Sequence, residues 1–189
     1  MSYPIEIGWA WAERSHIESR SILVKPSAEW LSWKTGWNPE AERLHGISLE
    51  QLLREGIEAP KACGTLNYEW HDAEVFFDTG SGAHDSRWLS TLYRAASLEP
   101  SFWLSDLSSD RCILSYARMS RITDTRIRAL EILAPKHTHR AAQDAAKWAW
   151  HYLAVKLIAD REIISESEIA DLASSIQIKF KPTMDQKSE

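Results

Sequence analysis

His137-Thr138-His139-Arg140-Ala141-Ala142-Gln143-Asp144-Ala145, two residues after Pro135, is the stretch around which the chain reads. Thr138 is a helix N-cap candidate. The alanine-rich run after it predicts a long helix, from Thr138 to about Asp160, packed closely against another element. On an ideal helix, positions five apart point about 140° away from each other. His139 and Asp144 therefore converge only if His139 lies in the loop or first turn. That arrangement suits a carboxylate holding a divalent metal beside a histidine that removes a proton from water. Taken alone, the pattern is weak and is better described as a cap followed by a surface helix.

Working back to the N-terminus, Ile5, Ile7, Trp9 and Trp11 alternate with Glu6, Gly8, Ala10 and Ala12, which predicts a strand. A second strand from about Ile17 to Val24, stopping before Pro26, makes an antiparallel hairpin. Trp30 to Pro39 reads as a tryptophan-rich loop. A helical turn from Ala41 ends at Gly46, and Ser48 with Gln51 forms a capping box for the next helix. Another helix starts with Pro60 in its first turn and runs to about Trp70. Glu74–Asp78 predicts a buried strand, residues 79–83 a glycine loop, and a helix follows from near Asp85. This order places Asp85 at the carboxyl end of a strand, where α/β sheets keep their sites. Ser101–Leu104 reads as a last strand. Helices follow over Cys112–Met119, Asp124–Leu133 and, capped by Ser165 with Glu168, Ser165–Ser174. The tail from Lys181 is expected to be disordered.

The bulk numbers fit one domain over residues 1–180, with 44% hydrophobic and 26% charged residues in a chain of 189. Ten tryptophans imply heavy aromatic burial, and core packing is expected for most of them. A net charge of −5 argues against bulk electrostatic capture of nucleic acid. The charge is uneven, however. Between Arg111 and Arg140, Arg111, Arg118, Arg121, Arg126, Arg128, Lys136 and Arg140 are opposed only by Asp124 and Glu131. Such a segment can track a phosphate backbone or form a solvated helical face. Cys63 and Cys112 have no metal-type spacing and need no disulfide, which fits a reducing cytoplasm. No apolar run is long enough to span a bilayer, so no membrane partner is expected. The helices from Arg111 onward offer a face for a homodimer.

Three segments in sequence order carry a resemblance. The first is Ile5-Glu6-Ile7-Gly8 with its hairpin, followed by His45-Gly46-Ile47-Ser48. The second is Phe77-Asp78 through Gly82-Ala83-His84-Asp85. The third is His139-x-Ala141-x-x-Asp144. The ordered set resembles the DEDDh 3′–5′ exonucleases of the ribonuclease H-like superfamily and covers nearly the whole chain. The resemblance implies an α/β fold, a ribonuclease H-like mixed sheet flanked by helices. It also implies hydrolysis of phosphodiester bonds at the 3′ ends of single-stranded RNA or DNA, with two Mg²⁺ or Mn²⁺ ions. By position, Asp85 and Asp144 would be metal carboxylates and His139 the general base. His45 would frame the 3′-terminal nucleotide, and Asp78 would stand behind the metal ligands. A pair of dications stabilises both the attacking and the leaving oxygens, and a histidine suits activation of water.

One departure matters. Members of this family begin with a strand bearing Asp-x-Glu, and here the sequence starts at Met1-Ser2-Tyr3-Pro4-Ile5, without it. Glu6 belongs to the next strand and does not replace it. Loss of that central strand would leave two sheet fragments. Two explanations compete: an internal start at Met1, with roughly a dozen further residues upstream carrying Asp-x-Glu, or a non-catalytic relative that binds nucleic acid or protein. Either way the chain as written is expected to have little or no nuclease activity. A third reading takes His137, His139 and Asp144 as a zinc site, without a fourth ligand nearby. Trp30, Trp33, Trp37 and Trp103 are candidates for stacking on bases, with buried packing the alternative.

Overall fold

The N-terminal alternation folds into the hairpin that it predicts. The computed structural model describes residues 2–34, 36–78, 84–105, 108–161 and 165–181. In it β1 spans Glu6–Glu13 and β2 His16–Leu23. The two-residue turn Arg14-Ser15 joins them, with Arg14 at a left-handed φ of 56°. A connection this short forces antiparallel pairing. Gln177–Phe180 adds a strand that the sequence reading missed. It pairs in parallel with β2, from His16 against Gln177 to Ser19 against Phe180. We number it β5; the sheet order β1-β2-β5 is therefore mixed. A separate parallel pair joins β3, Glu74–Val75, to β4, Trp103–Leu104. The architecture is mixed α/β, a small mixed sheet with flanking helices, and the chain divides into two compact units. Among the described residues no helix is long and apolar enough to cross a membrane.

The first unit comprises Met1–Ile7 and Ser21–Ser108. The stretch expected to be a tryptophan loop instead contains a helix, α1 (Ala28–Ser32), whose N-cap Ser27 accepts the Trp30 amide at 3.1 Å. Trp30 is 2% exposed and stacks on Tyr3, with ring centroids 5.2 Å apart, and the Tyr3 hydroxyl donates to the Gly36 carbonyl. These aromatics are core, because burying that much apolar surface outweighs the weak helix preference of the segment. Next come α2 (Pro39–His45), closed by Gly46 at φ 70°, and α3 (Leu49–Glu55). Ser48 accepts the Gln51 amide at 3.0 Å, but the Gln51 side chain turns to Glu55, so only half of the expected capping box forms. In α4 (Ala59–Glu69) and α5 (His84–Ala96) the facing sides are tied by Asn67. Its Oδ1 accepts the Tyr93 hydroxyl at 2.8 Å and the Ser101 amide at 3.0 Å. The strand expected over Glu74–Asp78 pairs only at Glu74 and Val75. The expected loop at 79–83 lies outside the described residues.

The second unit comprises Gly8–Arg20 and Ser109–Glu189. It holds α6 (Ser109–Met119), α7 (Asp124–Leu133), α8 (Ala141–Arg161) and α9 (Glu166–Ser175). The expected capping box of Ser165 and Glu168 is present in full. Helix α8 buries Ala146, Trp150, Leu153, Ala154 and Ile158, a stripe at helical spacing, in a core shared with Ile17, Ile113, Leu130 and Ile169. The helix begins at Ala141 and not at Thr138. His139 sits at φ 58°, a left-handed conformation that cannot continue a right-handed helix. Lys181, where a disordered tail was expected to begin, places its Nζ 2.6 Å from Glu18. Residues 182–189 lie outside the described residues.

The start of α8 lies hard against the hairpin. A Cβ on Gly8 would fall 2.1 Å from the Ala141 carbonyl carbon and 2.3 Å from the Ala142 nitrogen, so only a bare backbone fits. Opposite it, the fully buried Ser19 hydroxyl lies 2.6 Å from the Ala142 carbonyl oxygen and 3.1 Å from that of Trp9. Gly8→Ala is expected to cost about 1–3 kcal/mol or more by overpacking. Ser19→Ala is expected to cost about 0.5–1.5 kcal/mol by removing a buried hydroxyl hydrogen bond. Both should lower the urea midpoint, and an unchanged midpoint for Gly8→Ala would contradict the close approach.

Candidate functional site

Pro135 follows α7 and has no amide to donate, so the chain leaves the helix and crosses to α8 through residues 134–140. Asp144, the fourth residue of α8, reaches back over this loop. Its Oδ1 accepts the Thr138 amide at 2.9 Å and lies 3.4 Å from the Thr138 hydroxyl and 3.1 Å from His137 Nδ1. His137 Nε2 lies in turn 3.0 Å from His139 Nδ1, the two rings meeting edge to face at 84°. A carboxylate near a helix N-terminus is also favoured by the helix dipole. The predicted pair His139 and Asp144 is thus brought together, but through His137, a link that sequence spacing did not reveal.

This geometry bears on the zinc reading. Asp144 and His139 occupy opposite nitrogens of one imidazole, so a single ion cannot meet all three as they stand. Among the described residues no group of three or more His, Cys, Asp or Glu side chains is arranged to hold a metal ion. The contacts of Asp144 with described residues all fall on Oδ1, and its side chain is 14% exposed, which leaves Oδ2 available to a ligand.

In the first unit, Asp85 is the second residue of α5, as its position after a strand and loop implied. Burial, reinforced by the neighbouring Asp78 carboxylate, pushes its carboxyl up to about 6. A hydrogen bond from the Asp78 backbone and the nearby His84 act in the opposite sense without cancelling the shift. His84 stacks on Trp88 at 5.4 Å, and the Trp88 indole donates to Ser2 Oγ at 2.8 Å. Asp78 itself is half-buried and lies beyond the paired part of β3. A half-buried carboxylate with suppressed ionisation, set beside a second carboxylate, is the kind of hard-oxygen donor set that Mg²⁺ or Mn²⁺ relieves. The chemistry of Asp78 and Asp85 therefore fits the implied metal.

His45 Nδ1 accepts the Ile47 amide at 3.0 Å, and its ring meets Trp37 edge-on at 6.3 Å. It satisfies a backbone group where α2 turns into α3. Of the four tryptophans named as stacking candidates, Trp30 is core, Trp33 and Trp37 are half-buried, and Trp103 is 55% exposed. Sequence reasoning also passed over His151 in α8. Its Nε2 is buried without a hydrogen bond among the described residues, between the rings of Trp148 and Trp150. Burial, aided by Lys147, pushes this imidazole down to about 4.

These two groups predict opposite pH dependences over overlapping ranges. Folded Asp85 keeps a proton up to about pH 6 that the unfolded chain releases near pH 4, so its contribution falls as pH rises through that window. Folded His151 stays neutral down to about pH 4, whereas the unfolded chain takes up a proton near pH 6.5, so stability falls as pH drops between those values. Asp85→Asn should raise stability at pH 7 by about 1–2 kcal/mol after solvent screening, and His151→Leu should flatten the acid limb. Chemical denaturation from pH 4 to 8 checks both; a loss of stability in Asp85→Asn at pH 7 would refute the first.

No protein-family model matches this sequence, and no curated protein or solved structure matches it either.

Proposed function

We propose that the chain carries the later motifs of a metal-dependent 3′–5′ exonuclease of the DEDDh kind, acting on the ends of single-stranded RNA or DNA. The observation that carries this reading is the Asp78–Asp85 pair at a strand-to-helix junction, where burial and mutual repulsion hold Asp85 up to about 6. A buried carboxylate that resists ionisation destabilises the fold at neutral pH unless a cation or a proton joins it. By the resemblance, Asp85, with Asp78 adjoining it, would be a Mg²⁺ or Mn²⁺ carboxylate of the first unit, and Asp144 one of the second. Bound metal would supply charge stabilisation at the scissile phosphate and lower the pKa of a water. His139, exposed at the mouth of α8, would accept that water's proton. His45 would abut the terminal nucleotide, with RNA and DNA both open as substrates.

A second reading, a nucleic-acid-binding relative without turnover, is favoured by the incomplete donor set among the described residues.

The deciding assay uses 3′-labelled single-stranded RNA and DNA oligonucleotides with Mg²⁺ or Mn²⁺. It compares the 189-residue chain with the same chain extended by the in-frame codons upstream of Met1. Little or no turnover is expected from the first, and stepwise 3′ shortening, abolished by Asp85→Asn or Asp144→Asn, from a form that includes Asp-x-Glu. Binding without shortening in both forms would select the second reading. Neither binding nor shortening would reject both. In parallel, millimolar Mn²⁺ should raise the melting temperature of the wild type at pH 7 and leave that of Asp85→Asn unmoved.

A further inference from the structure

Three side chains in a row, Asp144, His137 and His139, are joined by two short polar contacts, and the chemistry of the first fixes the second. A carboxylate oxygen only accepts, so at an ion-pair distance of 3.1 Å Asp144 Oδ1 favours a proton on His137 Nδ1 over a bare lone pair. In neutral His137 the other nitrogen, Nε2, is then bare and accepts. It lies 3.0 Å from His139 Nδ1, and two bare nitrogens at that distance would repel. The proton of neutral His139 must therefore sit on Nδ1. That leaves the Nε2 lone pair of His139 as the free basic site, on a ring that is solvent-exposed.

We propose that His137 is the positioning residue that locks His139 in its Nδ1–H tautomer and turns Nε2 outward as the proton-accepting atom. The idea rests on the reading of His139 as the base, and it adds a residue to which neither spacing nor the resemblance gave that role. Three features build the lock. Thr138 holds Asp144 from the other side, through its amide at 2.9 Å, so the carboxylate is oriented before His137 meets it. His139 sits at φ 58°, a conformation that histidine tolerates better than most residues, and it brings the ring back onto His137. The contacts of Asp144 with described residues fall on Oδ1, so the same carboxylate can orient the histidines with one oxygen and present the other to a cation. When His139 Nε2 accepts a proton from water, the imidazolium formed still donates from Nδ1 to His137, whose own Nδ1–H still faces Asp144. No proton has to move along the row.

The test reads the tautomer directly. Long-range ¹H–¹⁵N correlation spectra of the histidine rings are recorded on the full chain at about pH 8, above the usual histidine range. His137 and His139 are both expected as Nδ1–H forms, against the Nε2–H form that histidine side chains favour in water. In His137→Phe, which keeps an aromatic ring but no nitrogen, His139 should revert to Nε2–H. Wild-type His139 found as Nε2–H, or a folded His137→Phe protein in which His139 stays Nδ1–H, would overturn the proposal. The wild-type spectrum decides even if the variant fails to fold. In the form that degrades oligonucleotides, His137→Phe should lower kcat about 10–100-fold with KM little changed, as for residues that orient a reacting group through one contact. Unaltered kcat would also overturn it. If no form shows turnover, the exonuclease reading fails while the tautomer result still stands or falls by itself.

Discussion

The contact on which the second unit depends is the approach of α8 to the hairpin at Gly8. Backbone meets backbone there at a distance that excludes any side chain, and the Ser19 hydroxyl closes the gap from β2. Interiors are packed densely enough that one extra methyl group is felt, and here it would fall on main-chain atoms that cannot rotate away. The small residues at the mouth of α8, Ala141, Ala142, Ala145 and Ala146, serve the same constraint from the other side. With the first turn of the helix fixed in this way, Asp144 has a defined origin. The loop from Pro135 to Arg140 must fold back over it, which is how two histidines two residues apart come to face each other.

Electrostatics divides the unusual ionisable groups into two kinds. Asp85 is strained by burial beside another carboxylate, and that strain is the sort that a cation removes. His151 is strained by burial between indole rings, and nothing polar on its ring nitrogen compensates among the described residues. For the first, the neighbour is a second carboxylate, Asp78. The second is a half-buried histidine whose neutral form is enforced by its surroundings. A displaced pKa alone would not separate them; the neighbours do.

Much of this was legible in the sequence because it depends on local rules. The period of two in Ile5–Ala12, Gly46 after a helical turn, Pro60 in a first turn and Ser165 with Glu168 each act over a few residues, and each element is present. What was misread depends on distant partners. Trp30 looked like loop because its partner, Tyr3, is remote in sequence, and β5 was missed because four residues are too few to show a period. The start of α8 shifted by three residues because the left-handed conformation of His139 has no marker in the sequence. Asp85 and Asp144 were singled out by their nearness to helix starts, and they lie in the first turns of α5 and α8. The role of His137 could not be read in that way, since it follows from which way two rings turn.

The parallel pairing of β2 with β5 has a consequence for how the chain is made. The second unit draws on Gly8–Arg20 and on residues from Ser109 onward, whereas Ser21–Ser108 of the first are contiguous. During synthesis, β2 emerges well before the strand that covers its far side, since His16 pairs with Gln177. At ordinary elongation rates that interval is on the order of ten seconds, far longer than a hairpin takes to form. Over that time the hydrogen-bonding groups along one side of β2, and the apolar face meant for α8, have no native cover. A nascent chain of this design invites a chaperone or a neighbouring polypeptide to fill that place, so its yield in a cell should depend on translation speed as well as on the stability of the finished fold.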